Sequence, residues 1–143
     1  PDVGGLKVAR EYAKRLDCDL AVIDKRRPRQ NEAEVMNIIG EVEGRNVLLI
    51  DDIVDTAGTI TNAAHAIKER GALGIMAAAT HALFSGRAYE RLEASPISRF
   101  IVTDTIPLAA PSEKVEVVSV AGIFADAIKR IYTDESISTL FKY

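Results

Sequence analysis

The chain has 143 residues, enough for one domain of ordinary size, with hydrophobic residues at 48% and charged residues at 27% in the range of soluble globular proteins. Eighteen basic residues against 21 acidic ones give a formal charge of -3, which argues against bulk electrostatic binding of nucleic acid. Its apolar runs, such as Val47-Leu-Leu-Ile50 and Ile75-Met-Ala-Ala-Ala79, are too short to span a bilayer, so no membrane role is expected.

The chain opens at Pro1-Asp2 without a methionine and goes straight into a turn, the pattern expected where a preceding strand has been cut away. No basic segment followed by an apolar stretch supports secretion, and the lone Cys18 makes no internal disulfide, so the cytosol is the expected compartment. Leu6, Ala9, Ala13 and Leu16 then predict a first helix, and Leu20–Ile23 a first strand. The stretch Lys25–Arg45 is too long for an ordinary strand-helix connection. Its first part is basic and polar, while Val35, Met36, Ile38, Ile39 and Val42 predict a short hairpin turning at Gly40. Val47–Ile50 predicts a second, buried strand, and Ile60, Ala63, Ala64 and Ile67 a second helix closed by Gly71. Strands at Ile75–Thr80, Phe100–Thr103 and Val115–Val120 follow, with a weaker helix over Gly86–Glu93, a loop at Ala109–Ser112 and a last helix on Phe124, Ala127, Ile128 and Ile131. Strands alternating with helices predict an α/β fold: a doubly wound, mostly parallel sheet flanked by helices, carrying a basic lid loop and a hairpin insertion.

Chemistry concentrates in Asp51-Asp-Ile-Val-Asp-Thr-Ala-Gly-Thr59. A buried strand delivers Asp51 and Asp52 to its C-terminal edge, where open α/β sheets bind ligands. The small, hydroxyl-bearing loop Asp55–Thr59 runs into a helix whose free N–H groups and dipole favour an anion, with Thr56 and Thr59 hydroxyls as further donors. Gly58 would permit a close approach or a positive φ. Carboxylates beside an anion cradle make sense for a ligand that offers hydroxyls or a metal next to its phosphate, as a sugar phosphate does. The competing account is an acidic turn with Thr56 or Thr59 as a helix N-cap. His81, at a strand end, could line the site or serve the core; His65 reads as structural or exposed. Neither has partners at metal-ligand spacing, which excludes a transition-metal site, and Cys18 reads as a partly buried small residue.

That loop resembles the ribose-phosphate loop of the type I phosphoribosyltransferase fold. Together with Lys25-Arg-Arg-Pro-Arg29, Glu34–Gly40, Thr80-His81, Ser85-Gly86 and Glu135-Ser-Ile-Ser138 with Leu140-Phe141, it resembles the C-terminal half of the ribose-phosphate pyrophosphokinases, or phosphoribosyl pyrophosphate synthetases. The resemblance implies a single domain over residues 1–143, with the N-terminal domain of a two-domain family chain absent and the piece alone incomplete as an enzyme. It further implies transfer of the diphosphoryl group of ATP, with Mg²⁺, to the anomeric hydroxyl of ribose 5-phosphate, releasing AMP.

Carried over by resemblance, Lys25 and Arg27 are the catalytic pair of the lid, Arg27 also contacting the sugar phosphate. Asp55, Thr56, Ala57, Gly58 and Thr59 hold the 5-phosphate, Asp51 contacts the ribose with Asp52 beside it for hydroxyl or metal-water contacts, and Asp2 is associated with a magnesium ion. Ser136, Ser138 and Phe141 resemble a regulatory ADP and phosphate site at subunit contacts, in a homo-oligomer built from dimers into hexamers. Two other readings remain: a phosphoribosyltransferase, which shares the cradle, and a non-catalytic synthetase-associated regulator.

Overall fold

The computed structural model describes residues 5–26 and 35–141, the side chains at 24–26, 35 and 36 excepted. A four-stranded parallel sheet, in the order β3 (Asn46–Val54), β4 (Gly74–Ala82), β5 (Arg99–Thr103), β6 (Val115–Val118), is flanked by helices. The helices are α1 (Gly5–Leu16), α2 (Gly58–Glu69), α3 (Ala88–Ala94) and α4 (Ala121–Tyr132), the last followed by a 3₁₀ turn, Ile137–Phe141. The α/β expectation of a parallel sheet between helices is met.

The sheet's core face is built from alternating strand positions, Leu49 on β3 with Ile75, Ala77 and Ala79 on β4, all buried. Small alanines there let Ile60, Ala64 and Ile67 of α2 settle close to the strands. Phe100, fully buried at the centre of β5, meets Phe84 edge to face at 5.5 Å, and Phe84 meets Tyr89 in the same manner at 5.5 Å. Phe100→Ala is expected to destabilise the fold by roughly 3–5 kcal/mol in denaturant titrations, the cost of a large aromatic cavity.

Gly71 ends α2 as expected. With φ +88°, it donates its N–H to Lys68 O (3.0 Å), while Ala72 N–H reaches Ile67 O (3.3 Å), a paired closure that uses the helix's last carbonyls. Lys68 Nζ adds bonds to Ala72 O and Leu73 O at 3.1 Å each.

The segment before β3 departs from expectation. The first strand is β1 (Val22–Arg26), and it leaves the parallel sheet to pair antiparallel with β2 (Val35–Ile39), Val22 opposite Ile39 and Arg26 opposite Val35. The hairpin therefore turns between β1 and β2, and not at Gly40. Gly40 instead leads the chain out of β2 at φ +114°, where a Cβ would lie 3.0 Å from Ala21 Cα; this close approach is why a glycine stands there.

At the other end β6 stops at Val118, two residues short of the expected limit, because the Val120 N–H leaves the ladder for Asp104 Oδ1 (2.9 Å) and Val120 caps α4. The helical period read at Phe124, Ile128 and Ile131 is correct. Its apolar face is nevertheless exposed, since no residue of α4 is buried and the helix packs chiefly on the 3₁₀ turn.

Candidate functional site

Strand β3 runs four residues beyond the expected Ile50, so Asp51 and Asp52 lie within it. Adjacent strand positions face opposite ways. Asp51 shares the side of buried Leu49 and is half-buried; Asp52 shares the side of Leu48 and is exposed. Carboxylates are tolerated this late in the strand because each bonds the next amide: Asp51 Oδ1 accepts from Asp52 N–H (3.0 Å) and Asp52 Oδ1 from Ile53 N–H (2.7 Å).

Burial pushes the Asp51 carboxyl above its ordinary value of 3.8, helped by the neighbouring Asp52 charge and opposed by the Asp52 amide. A folded-state value raised above the unfolded one gives stability that is present below the unfolded value and is lost as pH rises through the folded one. Asp51→Asn is therefore expected to melt above the parent at neutral pH, with the difference shrinking as pH falls toward about 4. The same variant should bind ribose 5-phosphate more weakly by calorimetry, and unchanged affinity would remove Asp51 from the site.

Beyond β3 the chain bends into α2. The consecutive carbonyls of the bend are each held, the first two by the β4–α3 connection and the third by α3 itself. Val54 O accepts from Leu83 N–H (2.9 Å) and Phe84 N–H (3.3 Å), Asp55 O from Ser85 N–H (3.0 Å), and Thr56 O from Arg91 Nη1 (2.7 Å). The Ser85 hydroxyl also donates to the Asp55 carboxylate. In a trans peptide the carbonyl and the following N–H point opposite ways, so the amides of residues 55–57 face away from α3.

Among the described residues, no acceptor meets the amides of Thr56, Ala57 or Gly58, and α2 has no side-chain cap. This decides against Thr56 or Thr59 as the N-cap, a position that Ala57 occupies. Ala57, buried, takes the left-handed conformation (φ 59°), and of the two roles open to Gly58, a close approach or a positive φ, the second is not used. A left-handed alanine costs about 1–2 kcal/mol. Thr61 offsets part of this by donating its hydroxyl (2.8 Å) and its N–H (3.1 Å) to Ala57 O. Among the described residues, a Cβ on Gly58 would lie 3.5 Å from Arg91 Nη1 and 3.8 Å from Thr56 Oγ1, ordinary van der Waals contact, so a side chain fits at that position.

The remaining candidates divide. Lys25 lies in β1 opposite Met36, on the edge of the hairpin from which the basic stretch departs. Arg27 and Asp2 fall outside the described residues. Ser136, Ser138 and Phe141 are exposed at the C-terminal turn, the two serine hydroxyls 2.7 Å apart. Half-buried His81 bonds Thr105 Oγ1 through Nδ1 (2.9 Å), which gives it a structural partner; His65 is exposed, and so is Cys18, against the partial burial expected for it.

No cluster of three or more metal-ligating side chains occurs among the described residues. Asp51 and Asp52 face opposite sides of β3, so they do not form a joint cage; one exposed carboxylate suits a hard cation that keeps waters and substrate oxygens, as Mg²⁺ does. A cleft of ≈ 220 Å³ opens between α1 and β3, lined by Ala9, Tyr12, Leu16, Ile23, Ile38 and Leu49. Its described lining includes none of the residues Asp55–Thr59.

Arg91 and Ser85 Oγ are the side chains that reading along the sequence does not find at this bend. Arg91 and Asp55–Thr59 are more than thirty positions apart, and the one local hint is the i, i+4 pair Arg87 and Arg91 along a short helix.

A family model described as phosphoribosyl synthetase-associated domain matches residues 26–142. The chain belongs to this family. Members similar to it include the ribose-phosphate pyrophosphokinases of Chlorobaculum tepidum, 56% identical over 142 residues, and Campylobacter jejuni, 51% identical over 141 residues. Each alignment covers 99% of this chain but 44% and 46% of the respective relative, so this phosphoribosyl synthetase-associated domain spans a little under half the length of those proteins. The crystal structure of phosphoribosylpyrophosphate synthetase from Mycobacterium smegmatis superposes with a TM-score of 0.84 at 32% identity, over 92% of this chain and 43% of that one. Among the described residues, no helix is long and apolar enough to cross a membrane.

Proposed function

We propose that this domain carries the ribose 5-phosphate half of a ribose-phosphate diphosphokinase, which moves the diphosphoryl group of ATP to the anomeric hydroxyl of ribose 5-phosphate and yields phosphoribosyl pyrophosphate and AMP. Relatives of that name, more than half identical across the chain, support the reading. The observation that carries it is the bend itself: amides at residues 56–58 that meet no acceptor among the described residues, and two carboxylates on the strand that leads in. Main-chain N–H groups and the start of α2 suit the 5-phosphate dianion, with Thr56 and Thr59 as hydroxyl donors. Asp51 and Asp52 suit the ribose hydroxyls, orienting the ring so that its anomeric oxygen faces the incoming phosphorus.

By resemblance Asp2 would hold Mg²⁺, with Asp52 reaching its waters, and the ion when bound would neutralise diphosphate charge. Lys25 and Arg27 are assigned the remaining stabilisation: attack at the β-phosphorus spreads negative charge over non-bridging oxygens, which two cations can meet once water is excluded.

By the same reading the chain is one domain, the C-terminal half of a two-domain cytosolic polypeptide, with adenine recognition supplied by the other half and by a neighbouring subunit of a dimer-based hexamer. Ser136, Ser138 and Phe141 are assigned to a regulatory nucleotide and phosphate site at a subunit contact. The test is product analysis with the full-length protein. AMP formed from ATP and ribose 5-phosphate supports the diphosphokinase. Pyrophosphate released with a nucleobase would make it a phosphoribosyltransferase, and neither product would make it a regulator.

A further inference from the structure

We propose that Arg91 is a positioning residue of the phosphate loop, setting the direction of the Ala57 amide through the Thr56 carbonyl; this rests on the reading of the bend as the 5-phosphate site. Three peptide planes in succession are fixed, two from the β4–α3 connection and one from α3, and they are fixed differently. Those after Val54 and Asp55 are held by the amides of Leu83, Phe84 and Ser85, main-chain donors that come with the path of the chain. The third, between Thr56 and Ala57, is held by a side chain, Arg91 Nη1 to Thr56 O at 2.7 Å. That plane carries the N–H of Ala57, the left-handed residue on which the bend turns into α2.

The bond does not serve the helix. A cation beside the positive N-terminal end of a helix is unfavourable, and the guanidinium lies 3.5 Å from where a Gly58 Cβ would sit, against the first turn of α2. Arg91 is itself exposed, on a different helix, and fills no core space. What its charge-assisted bond does is hold one carbonyl toward α3, so that the following amide faces the open side. Ser85 gives the loop a second tether through the Asp55 carboxylate.

The experiment compares Arg91→Met, Arg91→Lys and, as a control, Arg87→Met, which removes only the exposed Arg87–Glu90 pair on the same helix. Ribose 5-phosphate affinity is measured by calorimetry on the full-length protein, amide exchange at Thr56, Ala57 and Gly58 without ligand, and Tm alongside. Arg91→Met is expected to weaken binding about 10- to 100-fold, the scale of one lost charged hydrogen bond. It should also speed exchange at those amides while leaving Tm close to the parent's. Arg91→Lys should recover much of both losses, and Arg87→Met should change neither.

Undiminished affinity in Arg91→Met overturns the proposal. Weaker binding with unchanged amide exchange also overturns it, because Arg91 would then act on the ligand directly. A fall in Tm that accounts for the lost affinity overturns it in favour of a purely structural role. If the unaltered protein fails to bind ribose 5-phosphate, the reading of the site fails and takes this inference with it, an outcome separate from the other three.

Discussion

Lys25→Ala is expected to lower turnover by roughly 10³–10⁵, the range seen when a cation that meets transferring phosphoryl oxygens is removed. Ribose 5-phosphate affinity should stay within a few-fold of the parent's. The separation follows from where the two functions sit in the chain. Lys25 belongs to β1, in the antiparallel hairpin outside the parallel sheet, whereas the sugar-phosphate bend is built from β3, α2 and the β4–α3 connection. A group that acts only on charge developing in the transition state changes kcat and kcat/KM together and leaves ground-state binding alone. Steady-state AMP formation and a calorimetric titration check the two halves. Equal losses in both would make Lys25 a binding residue and not a catalytic one.

Gly58→Asp is expected to abolish measurable sugar-phosphate binding, a loss of at least about 100-fold, while the fold stays intact or gains slightly. The Cβ has room, with Arg91 Nη1 as its nearest neighbour at 3.5 Å, and Gly58 does not need a positive φ. A carboxylate in the first turn is also favoured by the helix dipole, by about 0.3–1 kcal/mol. The same carboxylate occupies the amides meant for the phosphate and repels the dianion at short range. Opposite signs for stability and affinity make the test sharp. A variant that melts at or above the parent's temperature yet still binds ribose 5-phosphate normally would place the ligand elsewhere.

Much of this architecture is legible in the residues alone. The 3.6-residue apolar period marks α1, α2 and α4, and continuous β-branched or alanine-rich runs mark β3 to β5, because those patterns are local and the sheet is covered where they occur. The partners of the insertion are not legible. Val35–Ile39 can pair forward across Gly40 or backward onto β1, and the choice depends on β1, which lies beyond the basic stretch. The length of β3 is hidden for a different reason. Asp51 and Asp52 look like the end of a strand, but each satisfies the next amide with its own carboxylate and the strand continues to Val54.

At the bend, composition points to an anion cradle but leaves Gly58 open as a point of close approach or as the left-handed residue. The backbone puts the left-handed conformation on Ala57, where Thr61 and Arg91 hold the flanking carbonyls. Arg91 could not be found by reading along the chain, since its role arises from a contact across 35 positions. The exposed face of α4 shows the converse: its periodicity is readable, but a helical period says only which side is apolar and not what covers it.

The carbonyls of Val54, Asp55 and Thr56 are tied down before any ligand arrives. If the bend is the 5-phosphate site proposed above, a dianion would find its donors already aimed, and little conformational entropy would be lost at the bend itself on docking. On that proposal capture would run close to the encounter rate, and discrimination among phosphorylated sugars would fall to the dissociation step, where contacts of the ring hydroxyls with the β3 carboxylates would set how long each one stays.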